Sequence, residues 1–187
     1  MNDYVSTDEY PLIKECLSGD RDKYADLVDR YKTMVYTVAY RMLGDADAAN
    51  DMAQESFISA YAGLKGFHFG SKFSSWLYRI AVNKCRDYLR GKKEMVSLDA
   101  IAEVSACRDV TPEEAASCRQ TEDVVQKALN MLPEDYREII ILKHIEELDY
   151  KEIAAILGVG VNALKVRSHR GREMLKKILQ EKTVAAQ

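Results

Sequence analysis

Arg79, Asn83, Arg86 and Arg90 recur every three or four residues along SKFSSWLYRIAVNKCRDYLRGKK, residues 71–93, so on a helix they share one face. Such a row offers cations to phosphates and an amide to a base edge, and Trp76 at its border offers a ring on which an unstacked base can lie. From Lys72 to Lys93 there are seven basic residues and one acid, Asp87, whereas solvated helices usually alternate signs and gain pairs across a turn. Taken alone, the segment fits either a solvated charged face or a nucleic-acid surface. Phe73, Leu77, Ile80, Ala81 and Tyr88 form the opposite, apolar stripe and are expected in a core.

A second set lies in DYKEIAAILGVGVNALKVRSHRGREML, residues 149–175. Small Ala154, Gly158 four residues later and apolar Leu164 six further on have the spacing of a helix-turn-helix, although an ordinary helical hairpin also fits. On the second helix Leu164, Ser168, Gly171 and Leu175 are expected to pack. Lys165, Val166, His169, Arg170, Arg172, Lys176 and Lys177 then project outward beside one acid, Glu173. Arg and Lys suit phosphates or guanine edges, His can donate to a base, and an exposed Val either packs on a thymine methyl or is a scattered surface apolar. A third face, acidic rather than basic, joins Asp47, Asn50, Asp51, Gln54 and Glu55 opposite inward Ala49, Ala53, Phe57, Ala60 and Leu64.

The elements that must position these faces read as helix nearly throughout, with three prolines and nine glycines as punctuation. Helices are expected over 8–17, over 21–43 with a stop at Gly44, over 45–64 with Asp45 as N-cap, over 71–93, and then over 112–132, 133–145, 150–157 and 161–180. Periodicity fails from Glu94 to Cys118. Between Glu94 and Asp123 eight acids face only Arg108 and Arg119, so this stretch reads as a flexible acidic linker. The fold expected is all-α, with two small helical domains, 1–93 and 119–187, joined by the linker 94–118, the second containing the helix-turn-helix.

At 187 residues the chain can build real cores without staples, and a net charge of −3 confines any nucleic-acid surface to local patches. Cys16, Cys85, Cys107 and Cys118 form no CxxC pair and share no metal-like spacing with His68, His144 and His169, so idle thiols and no metal are expected. No HExxH, no Gly-rich phosphate loop and no paired nucleophile support an enzyme, and no cofactor is called for. The N-terminal stretch lacks a basic segment followed by an apolar run, and nowhere are there 18 consecutive apolar residues, so a cytosolic protein without a membrane span is expected.

The order of motifs resembles a bacterial sigma factor of the extracytoplasmic-function type. It rests on the DxAxDxxQESFISAY pattern ending at Tyr61, on FSSWLYRIAVNKCRDYLR, on MLPEDYREIIILKHIEELDYKEIAAILG and on LKVRSHRGREML, and it spans nearly the whole chain. The resemblance implies that Asp47, Asp51, Gln54 and Glu55 meet core RNA polymerase. It also implies that Lys72, Trp76, Arg79, Asn83, Arg86 and Arg90 open and hold the minus-ten element, with Asn83 at a flipped base. Lys165, Val166, Arg167, His169 and Arg170 would read the minus-thirty-five duplex. An anti-sigma factor is an implied partner, and no catalytic residue is required because nucleotidyl transfer belongs to the polymerase. The chain departs from the family where Asn162-Ala163 stands for the usual Gly-Thr or Gly-Ser and Val166 for a small polar residue, which bears on the promoter sequence. Asn162 is expected to serve as N-cap in place of the hydroxyl.

The rival reading is a stand-alone helix-turn-helix regulator with a helical sensing domain, which leaves the Trp76–Asn83–Arg86 face and the acidic face unused. Charge also suggests that the linker 94–123 lies against the basic helices in the free protein and holds it compact at low salt.

Overall fold

The computed structural model describes residues 9–98 and 116–185, with side chains described for 9–93 and 123–181. Eight α-helices make up these residues: α1 Glu9–Leu17, α2 Asp22–Leu43, α3 Ala46–Gly63, α4 Phe73–Leu98, α5 Ala116–Asn130, α6 Glu134–Ile140, α7 Tyr150–Leu157 and α8 Val161–Ala185. A 3-10 turn, Leu64–Gly66, follows α3, and a π-helical turn, Ile141–Ile145, extends α6. The chain is all-helical in two domains, α1–α4 and α5–α8. Residues 99–115, which include most of the acidic segment, the helix start expected at Thr111–Glu114 and Cys107, lie outside the described residues.

Local chemistry sets the helix ends in the first domain. Gly44 closes α2 with a left-handed φ of 70° and donates its N–H to Tyr40 O at 2.8 Å, a conformation that costs a side-chain-bearing residue. Asp45 then caps α3 as expected, its carboxylate accepting from the N–H groups of Asp47 and Ala48 at 3.0 Å each. The core is filled by Ile13, Leu27, Tyr31, Met34, Val35, Val38, Ala49, Ala60, Phe73 and Leu77, all buried.

The structure shifts the core stripe expected on α4. Phe73, Leu77 and Ala81 are buried as expected, but Ile80 and Tyr88 are only half-buried, whereas Tyr78, Val82 and Cys85 are sealed. The reason is that α4 is covered from two sides: by α2 and α3 of its own domain, and by α7 of the second.

The second domain shows the same two-sided burial. Ile139, Ile140, Ile141 and Leu142 are consecutive and all buried, which no single-faced amphipathic helix allows. One side of this segment packs on α8 and another on α2. Buried apolar residues of both domains consequently form one connected cluster. Polar groups lock the seam. Arg137 donates to Met42 O at the end of α2 (2.6 Å) and to Asn130 O and Leu132 O at the end of α5 (2.8 and 3.0 Å), and Gln126 exchanges hydrogen bonds with Arg41. Burial lowers the Arg137 guanidinium from its ordinary value, and the three carbonyls replace its lost water.

Candidate nucleic-acid interface

The α4 face rests on an aromatic base. Phe67 is buried beneath the loop that enters α4, with Tyr10, Phe69, Phe73 and Trp76 set tilted or edge-on around it or one another at centroid distances of 5.4 to 6.2 Å. The Tyr10 hydroxyl donates to Ser71 O at 3.0 Å, which ties α1 to this loop. Trp76 is half-buried, with one ring edge over Gly63. It therefore supports the surface while retaining exposed area. Arg79 and Asn83 are exposed one turn apart, and Arg90 is exposed with its guanidinium hydrogen-bonded to Asp87.

The remaining cations of this row face acids of the second domain. Arg86 donates from Nε and Nη2 to the two carboxylate oxygens of Glu138 at 2.8 and 2.6 Å. The Glu138 side chain is 2% exposed. Burial pushes its carboxyl above the usual carboxylate range, and the Arg86 guanidinium works against that rise through both hydrogen bonds and its charge. Lys72 pairs with Glu152 at 2.5 Å and Lys93 with Glu134 at 2.7 Å, while the Tyr78 hydroxyl hydrogen-bonds to Glu146, whose carboxyl burial also raises. Glu152 also closes a capping box with Asp149 at the start of α7, each side chain accepting from the other residue's N–H.

α8 presents its candidates differently. Leu164 and Ser168 are buried, and buried Gly171 sits against Ile140 and Tyr136, where a side chain would crowd both, so this stripe is the expected packing face. Lys165, Val166, His169 and Arg170 are exposed, Val166 at 53%. Arg167 is half-buried and lies 3.5 Å from Asp135. The turn into α8 uses Gly158 at φ 68°, its N–H donating to Ala154 O. Asn162 is not the N-cap: the Leu164 N–H bonds Gly160 O, so the helix starts at Val161 and Asn162 stands within its first turn.

On α3, Asp47, Asn50, Asp51, Gln54 and Glu55 are all exposed, and Glu55 meets Lys84 of α4 at 2.9 Å. Asn50 and Gln54 border an open apolar groove of about 430 Å³ lined by Val28, Tyr36, Ala53 and Phe57. Helical periodicity finds these three outer faces. It does not find Glu134, Glu138, Glu146 and Glu152, whose relation to α4 exists only across the domain seam. Among the described residues no group of three or more His, Cys, Asp or Glu side chains could hold a metal ion, and no helix is long and apolar enough to cross a membrane.

The sequence matches the family descriptions Sigma-70 region 2 over residues 27–94 and Sigma-70, region 4 over residues 122–175. It is 42% identical over 180 residues to the ECF RNA polymerase sigma factor SigW of Bacillus subtilis (strain 168), covering 90% of this chain and 95% of that one. It is 34% identical over 173 residues to the ECF RNA polymerase sigma-E factor of Escherichia coli (strain K12), covering 88% and 90%. Among solved structures, CnrH in complex with the cytosolic domain of CnrY superposes with a TM-score of 0.71 at 26% identity, covering 94% of this chain and 99% of that one. The sigma factor RpoE in complex with the anti-sigma factor NepR from Bartonella quintana gives 0.70 at 26% identity, covering 84% and 96%.

Proposed function

The chain belongs to the extracytoplasmic-function sigma factors and directs RNA polymerase to promoters, and from that premise we propose how its faces divide the work. It is not an enzyme; it binds core polymerase and promoter DNA, and the chemistry of transcription is the polymerase's. In this reading the first domain, residues 1–93, binds core polymerase and opens the minus-ten element, the linker spans 94–118, its two ends continuing α4 to Leu98 and beginning α5 at Ala116, and the second domain, residues 119–187, reads the minus-thirty-five duplex.

The observation that carries the assignment is the pairing of two exposed rows with different chemistry. Arg79 and Asn83 stand beside a half-buried indole, a combination suited to a melted strand, where bases need stacking and edge contacts in place of their partners. Lys72, Arg86 and Arg90 flank them as phosphate ligands. Lys165, Val166, Arg167, His169 and Arg170 lie on the second helix of a helix-turn-helix and suit an intact major groove. Asp47, Asp51, Gln54 and Glu55 supply acidic and amide groups for a basic polymerase surface. Two solved relatives are held with CnrY and with an anti-sigma factor, which supports a corresponding anti-sigma partner here. Membership of the extracytoplasmic-function family supports an alternative sigma factor for a stress or envelope response, acting in the cytoplasm where the polymerase works.

Purified protein combined with bacterial core polymerase on a promoter library tests the reading. Transcripts that start only when both are present support it, and enriched promoters then define the sequence read by α8. Duplex binding by the protein alone, with no association with polymerase, would instead identify the rival stand-alone regulator.

A further inference from the structure

α1 contributes no residue to the three faces assigned above, yet it holds the loop by which the chain enters α4. Residues 68–72 span from buried Phe67 to buried Phe73. The middle of this span is a turn closed on itself: the Ser71 N–H and hydroxyl both donate to His68 O, at 3.0 and 2.8 Å, and the Gly70 N–H donates to His68 Nδ1 at 3.0 Å. Among the described residues, one hydrogen bond ties that turn to another helix, from the Tyr10 hydroxyl of α1 to Ser71 O. The Tyr10 ring also meets Phe69, the exposed tip of the turn, edge-on at 5.4 Å, and Lys14, one turn along α1, sets its ammonium 5.8 Å from the centre of the same Phe69 ring. The helix that carries Tyr10 is itself fixed. Neighbouring Glu9 is buried and hydrogen-bonded by the Tyr31 hydroxyl, Ile13 is fully buried, and the Tyr31 ring packs on Phe73 at 5.4 Å, so a single α2 residue braces both the start of α1 and the start of α4. We propose that Tyr10 is a positioning residue for promoter opening: from α1 it orders the turn 68–71 and thereby sets where Lys72 and Trp76 meet the melted strand.

The proposal rests on the reading of α4 as the minus-ten face. Ser71 precedes Lys72, and the Lys72 carbonyl accepts from the Trp76 N–H at 3.2 Å. A shift of Ser71 is therefore passed to the cation directly and to the indole through the first hydrogen bond of the helix. The Tyr10 bond is exposed, and such a bond adds little to the stability of a domain whose core is made elsewhere. Its effect is on order. His68, Phe69, Gly70 and Ser71 are all exposed, and such a turn samples many conformations unless something outside it fixes one. A strand received by a turn already in place forfeits less conformational entropy on binding. Helical periodicity gives no sign of this contact, because Tyr10 and Ser71 stand 61 residues apart in the chain.

The test combines the full-length chain with core RNA polymerase on a duplex promoter from the enriched library, and on the same promoter with a mismatched, already open minus-ten segment. Tyr10→Phe keeps the ring and removes only the hydroxyl. Its opening rate on the duplex, read by permanganate reactivity at saturating holoenzyme, is expected to fall about five-fold, the contribution of one hydrogen bond. Its transcription from the mismatched template and its affinity for core polymerase should stay at the wild-type level. Tyr10→Ala, which also takes the ring away from Phe67 and Phe69, should open the duplex about thirty-fold more slowly than wild type. Opening by Tyr10→Phe at the wild-type rate would overturn the proposal. So would equal losses on the two templates or a parallel loss of core affinity, either of which would make the hydroxyl a support of the domain at large. Asn83→Ala on the same duplex tests the underlying reading alone. Wild-type opening by that variant would overturn the minus-ten assignment of α4, whereas a defect in Asn83→Ala without one in Tyr10→Phe would remove only the role of Tyr10.

Discussion

Both α4 and α8 pack into a core and carry cations on the remaining surface, and both follow a turn that aims them. On α8 Lys165, His169 and Arg170 stand exposed, whereas Lys72 just before α4 and Arg86 and Lys93 on it each meet a carboxylate of the other domain. Composition does not distinguish them. Their surroundings do, because α8 packs on α5, α6 and α7 of its own domain, whereas α4 packs on α2 and α3 of its own domain and on α7 of the other. A basic row is therefore a capacity to bind, and its availability is a property of what packs beside it.

Arg86→Ala should separate the two helices most sharply. It strands Glu138 in a buried site, and loss of one partner of such a pair costs about 3 kcal/mol. Arg170→Ala, on an exposed position, should alter stability by no more than about 0.5 kcal/mol. Urea midpoints compare them directly, and equal midpoints would break the contrast.

Next in size are the DNA effects. Asn83→Ala is expected to reduce open-complex formation by the polymerase-bound protein by about ten-fold or more while leaving minus-thirty-five duplex binding unchanged. Arg170→Ala should do the reverse, weakening duplex affinity by about 1–3 kcal/mol. Permanganate footprinting and duplex anisotropy read the two steps separately. Equal losses of both from Asn83→Ala would contradict its assignment to the melted strand.

The seam offers a third comparison. Gly44→Ala introduces a side chain at φ 70° and drives it into the Asn130 amide of α5, so a loss of about 1–2 kcal/mol is expected in thermal unfolding. Gly66→Ala, where an added Cβ meets nothing within 4 Å, serves as the control and should shift the midpoint little.

The smallest effect concerns the dry side of α4. Cys85 is fully buried, and burial pushes its thiol from about 9.0 up to about 12. Native protein at pH 8 should resist iodoacetamide at Cys85 until urea unfolds it. Because the unfolded thiol loses its proton first, the stability associated with Cys85 is complete below about pH 9 and falls as pH rises toward 12. Fast alkylation at neutral pH would mean that α4 leaves its core far more often than its burial indicates.

Much of this is legible in the residues. The extents of α2 and α7, Asp45 as a cap, Gly158 at the turn and the packing stripe of α8 follow from periodicity and helix-end chemistry, which act within a few residues. The capping box of Asp149 and Glu152 is also visible in the D-x-x-E spacing, although that spacing says nothing of Glu152 meeting Lys72. A helical projection misplaces the α4 stripe by part of a turn because it assumes one buried side, and the run Ile139–Leu142 carries the same warning, four consecutive apolar residues that one partner cannot cover.

Local spacing thus establishes the helices, their polar and apolar faces and, through the order of motifs, the family. It does not establish which charges meet. Glu138 is one carboxylate among thirty acidic residues until folding brings α6 against α4, and only then does desolvation make its pairing with Arg86 strong and its loss costly. Long-range contact assigns partners to charges, and that assignment decides which of two similar basic helices is open in the free protein.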